Sequence, residues 1–369
     1  MALRRNRTMP KGATAMQHRP RRRPVLLATL ILAALPALCA ATALARSVID
    51  ADGHRLDVPD APKRVYALSP PDSLLVYAID PCLLAGWNYP PLPPAVPYLP
   101  ACARDLPVLG GFFGKNEAPD EKALEAAKPD LVISGSMAKP HAAFEAFFTA
   151  RRIPVIHVAS ESPSDYPAAF RRLGAALGRL ERAEKLAAAA EATLTSIRRG
   201  LAAIPKDKRL TVYYAEGGDG LFTDGGGSFH TVVLDLAGGI NVHTKPPTDR
   251  KGMDRVTMEE VVGYAPQVIL AQDAACRDRI LSSPAWSEIP AVKNGRVLLL
   301  PDTPFGWFDR PPSFLRLLCL KWLANALYPE AFPFDMVRET KAFFTLFLQV
   351  DLTDAKAADL LRGKEHVTP

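Results

Sequence analysis

Between residues 165 and 203 the chain reads DYPAAFRRLGAALGRLERAEKLAAAAEATLTSIRRGLAA, and Phe170, Leu173, Leu177, Leu180, Ala187, Ala190, Leu194, Ile197 and Leu201 recur in it at three- and four-residue steps. One apolar stripe at that spacing predicts a long helix, or two nearly continuous ones. Asp165 caps its first turn, Pro167 suits its opening and Pro205 stops it. Unbroken, the helix would span on the order of 55 Å, more than the width of one small domain, so it is expected to lean on two bodies.

The flanking sequence supports two bodies. ALEAAKPDLVIS (123–134) precedes the helix and MEEVVGYAPQVILA (258–271) comes after it. Aligning Pro129 with Pro266 sets Leu124 against Val261, Asp130 against Gln267, and Leu131-Val132-Ile133 against Val268-Ile269-Leu270. Each copy reads as a short amphipathic helix, a proline turn and a buried strand. RVYALSP (64–70) and RVLLLP (296–301) form a second, weaker echo. A repeat on both sides of a long helix points to two similar α/β lobes.

Other elements obey the same logic. Residues 46–59 read as a hairpin turning at Asp52-Gly53. Strands are expected at 64–68, 83–86, 153–158, 210–214 and 296–300, and helices at 74–79, 231–237, 314–327, 335–348 and 353–361. Strand, loop, helix order in both halves predicts mainly parallel sheets with ligand chemistry at the strands' carboxyl ends. The expected architecture is α/β: two similar lobes joined by one long α-helix. Its divisions are a signal peptide (1–45), an N-terminal lobe (46–164), the bridging helix (165–205), a C-terminal lobe (206–330) and C-terminal helices (331–369).

The first 45 residues are read as a leader. Arg19 and Arg21 to Arg23 precede an apolar run, and Ala43-Leu44-Ala45 fits small-x-small cleavage before Arg46. Pro36 interrupts the run, which is short for a membrane span. The leader carries eight of the 45 Lys and Arg and none of the 39 Asp and Glu. The chain from Arg46 onward is therefore slightly acidic, and the basic balance gives no support to nucleic-acid binding. Beyond the leader stand Cys82, Cys102, Cys276 and Cys319, without C-x-x-C or zinc spacing. Cys82 and Cys102 bracket a proline-rich excursion, and a bridge and two buried thiols are both open.

Enzymatic motifs are missing. GGFFGKN (110–116) is one residue short of a P-loop and has Asn116 where a Ser or Thr belongs. There is no G-x-S-x-G and no H-E-x-x-H, and His141, His157, His230 and His243 are scattered, so no metal site is assigned. The loops past the expected strand ends hold rings and cations instead: Trp87, Tyr89, Phe112, Lys115, Lys139, Tyr214, His230, Trp307, Phe308 and Arg310. Flat apolar surfaces with a few cations suit a large, partly aromatic, anionic ligand. Each ring taken alone reads equally well as a loop side chain folded back onto the core.

SPPDSLLVYAID (69–80), KPDLVI (128–133) with the helix before it, GSFHTVVLDLAGGINV (227–242), and GWFDRPPS (306–313) with LKWLA after it together resemble the helical-backbone (class III) periplasmic binding proteins. Those proteins serve ABC importers of ferric siderophores, haem and vitamin B12. The resemblance covers roughly residues 46–361. It implies two Rossmann-like lobes joined by one long rigid α-helix with a ligand cleft between them, in a periplasmic monomer that is not an enzyme, has no intrinsic cofactor, and delivers a small-molecule metal chelate to a membrane permease. Family members usually dock through one exposed Glu per lobe; those positions fall on Leu74 and Val232, so either the neighbouring Asp72 and Asp235 take over or docking is of another kind. An iron–siderophore complex is the first ligand expected, matched by Arg310 and the lysines, with His230 or Tyr214 completing the iron sphere. Haem, cobalamin and molybdate or tungstate come next. A two-lobed enzyme or cofactor scaffold of the kind related to nitrogenase components is the alternative class, opposed by the wide spacing of the cysteines.

Overall fold

Each of two parallel sheets grows from one copy of the helix–proline–strand repeat. The computed structural model describes residues 45–113, 118–135, 142–248 and 252–363; the leader, Lys115 and Lys139 lie outside them.

In the N-terminal half, β1 (Ala45–Ile49) and β2 (Arg55–Pro59) form an antiparallel hairpin. The lobe continues through β3 (Val65–Ala67), α1 (Pro70–Ile79), α2 (Ala101–Arg104), α3 (Glu121–Ala127), β4 (Leu131–Gly135), α4 (Ala142–Ala150) and β5 (Val155–Val158). The sheet order is β3-β4-β5, all parallel. The expected strand at 83–86 is absent: a 3-10 turn at Pro81–Leu83 leads into isolated bridges at Leu84 and Trp87. Cys82 and Cys102 form a disulfide, with Cα atoms 5.2 Å apart, that closes the proline-rich loop between them. Cys276 and Cys319 are free and buried.

The run 165–203 forms two helices, α5 (Tyr166–Leu177) and α6 (Leu180–Ala202). Gly178, in the left-handed region at φ 67°, ends the first. The second folds back on it, since Arg171 of α5 pairs with both Glu184 and Glu191 of α6. A Cβ on Gly174 would lie 2.2 Å from that of Ala183, so glycine is what lets the two axes close. A 55 Å rod is thereby corrected to a 23-residue helix of roughly 34 Å. It still reaches both halves. Near its start Arg182 donates to the Ala78 carbonyl at the end of α1; near its end Phe332 lies over Gly200, and Leu201 packs against Gly238.

The C-terminal half runs β6 (Thr211–Ala215), β7 (Phe222–Thr223), α7 (Val232–Leu236), β8 (Ile240–Asn241), β9 (Asp254–Arg255), α8 (Met258–Tyr264), β10 (Val268–Ala271), α9 (Ala274–Ser282), α10 (Pro290–Lys293) and β11 (Val297–Leu299). Its main sheet has the order β11-β10-β6-β8, again parallel, and β7 pairs with β9 antiparallel. Sheets covered on both faces need continuous apolar strands, and β4 and β10 are buried along their whole length.

The repeat extends to hydrogen bonding. Lys128 and Ala265 close α3 and α8 in the same left-handed conformation, at φ 48° and 46°. Asp130 then accepts from the backbone of Lys63 and Arg64 leading into β3, and Gln267 from that of Thr211 opening β6.

After β11, helices α11 (Arg316–Leu327), α12 (Met336–Phe343) and α13 (Asp354–Leu361) close the described chain. They return to the N-terminal half: Phe344 meets Tyr98 edge-on with ring centres 5.8 Å apart, and Phe347 lies 6.0 Å from Phe170. Among the described residues no helix is long and apolar enough to cross a membrane.

Candidate functional site

A cleft of about 230 Å³ opens between the halves. One wall is the start of α1 (Pro70, Ser73, Leu74) with the loop Trp87–Ala95; the other is built from the carboxyl ends of β6, β10 and β11 and the loop 302–311. Open α/β sheets place ligands at that end of their strands.

Asn88, which carries no signal in the local sequence, fixes the first wall. It is buried, donates to the carbonyls of Ala67 and Gly110 at 2.9 Å each, and accepts from the Ser73 hydroxyl at 2.7 Å. Trp87 is anchored beside it by an indole N–H bond to the Ala103 carbonyl at 2.7 Å. Phe305, equally unpredicted, crosses from the opposite half and meets Tyr77 edge-on at 5.8 Å, with Trp87 at 6.3 Å.

Of the residues expected from sequence, Trp87, Tyr89, Tyr214, Trp307, Phe308 and Arg310 line this cleft together. Phe112 does not; it is buried in a separate core cluster, edge-on to Phe144 at 5.2 Å. His230 does not either. It is 4% exposed, with Nδ1 2.5 Å from Oδ2 of Asp309. Lys115 and Lys139 fall outside the described residues.

Arg310 differs from the expected free cation. Its Nε donates to Glu216 at 2.6 Å and its Nη2 to Asp224 at 2.8 Å, and both carboxylates are buried. Arg310 sits at φ 52°, a left-handed position costly for a residue with a Cβ, and the two ion pairs hold it there. Burial, reinforced by Asp224 and only partly offset by Arg310, raises the Glu216 carboxyl to about 8. Glu216 therefore gives up its proton at a higher pH than an ordinary glutamate.

Behind the cleft lies a second buried arginine that sequence did not single out. Arg316 has no solvent exposure and donates to Asp309 and to the carbonyls of Phe308, Phe229 and, across the halves, Glu161, all within 2.8 to 2.9 Å. Burial alone would raise the Asp309 carboxyl, but the His230 bond and the charges of His230 and Arg316 hold it below its ordinary value. This network fixes the backbone of the Trp307–Phe308 wall.

The expected docking acids divide. Asp235 is exposed on α7, with Val232 half-buried beside it. Asp72 is 1% exposed, and Leu74 is buried and lines the cleft, so neither is an exposed docking group. Instead Asp72 accepts from the Ser69 hydroxyl and the Gly135 amide, and burial raises its carboxyl to about 6 despite those bonds.

The sequence profile described as "Periplasmic binding protein" matches residues 114–304, just over half of the chain. The chain belongs to the periplasmic binding protein family. An ABC transporter solute binding protein from Sulfurospirillum deleyianum DSM 6946 shares 35% identity and superposes with a TM-score of 0.79, covering 84% of this chain and 97% of that one. The molybdate-binding protein MolA of Haemophilus influenzae is 30% identical over 181 residues, 48% of this chain and 50% of MolA, so the match spans half the length of that curated relative. An uncharacterised ABC transporter substrate-binding lipoprotein of Bacillus subtilis strain 168, YvrC, is 24% identical over 78% of this chain and 86% of its own length. The two-lobed parallel α/β architecture agrees with this membership.

Proposed function

We propose that the chain is an exported solute-binding protein that captures an organic metal chelate of the iron–siderophore kind and hands it to the permease of an ABC importer. The observation that carries this reading is the cleft wall. Trp87, Tyr89, Tyr214, Phe305, Trp307 and Phe308 line a space far larger than a four-oxygen anion, with Tyr89 and Phe305 half-exposed and the other four rings buried at its back. Rings on both sides favour a ligand with extended flat or apolar faces. Among the described residues the charged groups lining the cleft are Asp273, Asp302, Asp309 and Arg310, and Arg310 is already paired twice. Among the described residues, shape and ring contact are what the cleft offers a chelate. A ligand anion is the partner expected for the guanidinium from sequence; two carboxylates of the chain take that place. The basic-then-apolar leader supports export, and exposed Asp235 supports a permease contact on α7.

A second reading, a molybdate or tungstate carrier, is favoured by the likeness to MolA. A buried oxyanion needs several uncommitted donors, and the paired state of Arg310 weighs against it. Titrating the purified chain with ferric catecholate, ferric hydroxamate, haem, cobalamin and molybdate, while tracking tryptophan fluorescence, separates the two. Saturable quenching by a ferric chelate at micromolar concentration or below is expected. A saturable response to molybdate alone, or none to any of the five, overturns the chelate reading.

A further inference from the structure

The turn of the β1–β2 hairpin packs against the edge strand β5, in a groove that shares no lining residue with the cleft. Asp50, at the start of that turn, is 1% exposed. Its Oδ1 accepts from the backbone of Asp52 at 2.9 Å and of His54 at 2.8 Å, which shapes the turn. Its Oδ2 is buried and accepts no hydrogen bond; the His54 ring stands 3.5 Å away. The amide of Ala51 donates to the His157 carbonyl at 2.9 Å, tying the turn to β5. The His157 imidazole is also half-engaged. Nδ1 is buried without a partner, while Nε2 lies 3.7 Å from Glu145. One ligand atom each from Asp50, Asp52 and His157 fall within 4.8 Å of one another.

An unpartnered carboxylate oxygen in a dry position costs free energy, and so does an unpartnered ring nitrogen. Both atoms belong to residues that bring a ligand atom within 4.8 Å of each other, and a Lewis acid held there would relieve such unpartnered groups. A carboxylate behind the far nitrogen of an imidazole is the arrangement that orients a metal-bound histidine. One nitrogen and two carboxylates suit a borderline divalent ion, whereas Ca²⁺ and Mg²⁺ favour all-oxygen sets. We propose that Asp50, Asp52 and His157 form a site for a divalent transition-metal ion, Zn²⁺ first, which clips the N-terminal hairpin to β5. The site is independent of what the cleft binds.

The test uses tag-free protein stripped with chelator, titrated calorimetrically with Zn²⁺ and melted with and without it. One Zn²⁺ should bind at micromolar concentration or below and raise the Tm. Asp50→Asn retains the Oδ1 acceptor of the turn while removing the charge, and Asp52→Asn alters an exposed residue; either, or His157→Gln, should abolish the Tm response while leaving the cleft titration unchanged. Wild-type protein that binds no Zn²⁺ at submillimolar concentration, binding undiminished in all three variants, or preference for Ca²⁺ over Zn²⁺ would each overturn the assignment.

Discussion

Arg310 donates from Nε to Oε1 of Glu216 at 2.6 Å, joining residues 94 positions apart. With Asp224 on Nη2, that bond turns the guanidinium into a structural element of the cleft wall. Arg310→Ala would leave the buried carboxyl groups of Glu216 and Asp224 without the guanidinium that donates to them, a loss of about 3–5 kcal/mol. Denaturant titration should show that loss with no ligand present, and the Glu216→Gln background should reduce it. A variant as stable as wild type that binds ligand more weakly would restore Arg310 as a ligand anchor.

The same pair sets a pH dependence. Glu216 is raised from 4.5 to about 8 and Asp72 from 3.8 to about 6, each chiefly by burial. Between those limits the folded state holds protons that the unfolded chain has lost, so stability falls as pH rises. The contribution is complete below the unfolded values and is lost as pH climbs through about 6 for Asp72 and about 8 for Glu216. Unfolding free energies measured from pH 5 to pH 9 should decline, and Glu216→Gln should flatten the upper part of the curve.

Arg316→Lys removes the fork that reaches Glu161, Phe229, Phe308 and Asp309 together. Lysine has fewer donors on a point charge, so several carbonyls lose their partner, and about 3 kcal/mol or more of stability should disappear. Because Arg316 ties the halves without touching ligand, chelate affinity at saturating folded protein should change less than the Tm.

Asp72 and Asp235 should behave differently. Asp72→Ala destabilises the fold, as does Gly135→Ala, whose Cβ would meet Asp72 Oδ1 at 2.0 Å. Asp235→Ala is expected to leave the melting temperature and ligand affinity unchanged while lowering uptake in cells. Uptake unaffected by Asp235→Ala would remove α7 from the permease contact.

The Cys82–Cys102 bridge closes a loop with a separation of 20 residues that carries Trp87, Asn88 and Tyr89. Replacing both cysteines by serine should cost about 3 kcal/mol through the unfolded chain's entropy. It should also weaken chelate binding, because the wall it restrains is one side of the cleft.

Local pattern made much of the fold legible. Pro129 and Pro266 mark the repeat because each comes just after a left-handed helix end and just before a buried parallel strand. Aromatic residues just past strand ends pointed to the cleft wall for the same topological reason. A three-four periodicity continues unchanged through a reversal of direction, so it does not separate α5 from α6; Gly174 and Gly178 are the residues that mark the break. Charges were misjudged where partners are distant in sequence. Asp309 lies 79 positions from His230, and Asp224 lies 86 from Arg310, so neither pairing leaves a mark in a local window. A single arginine at a helix start, such as Arg316, reads as a surface residue until the fold buries it.

Crystals grown with a ferric chelate and measured at the iron absorption edge locate the ligand directly. The cleft proposal requires one anomalous peak between the Trp87–Tyr89 wall and the Tyr214–Trp307–Phe308 wall. A peak elsewhere on the molecule, or an empty cleft that fills only with molybdate, would contradict it.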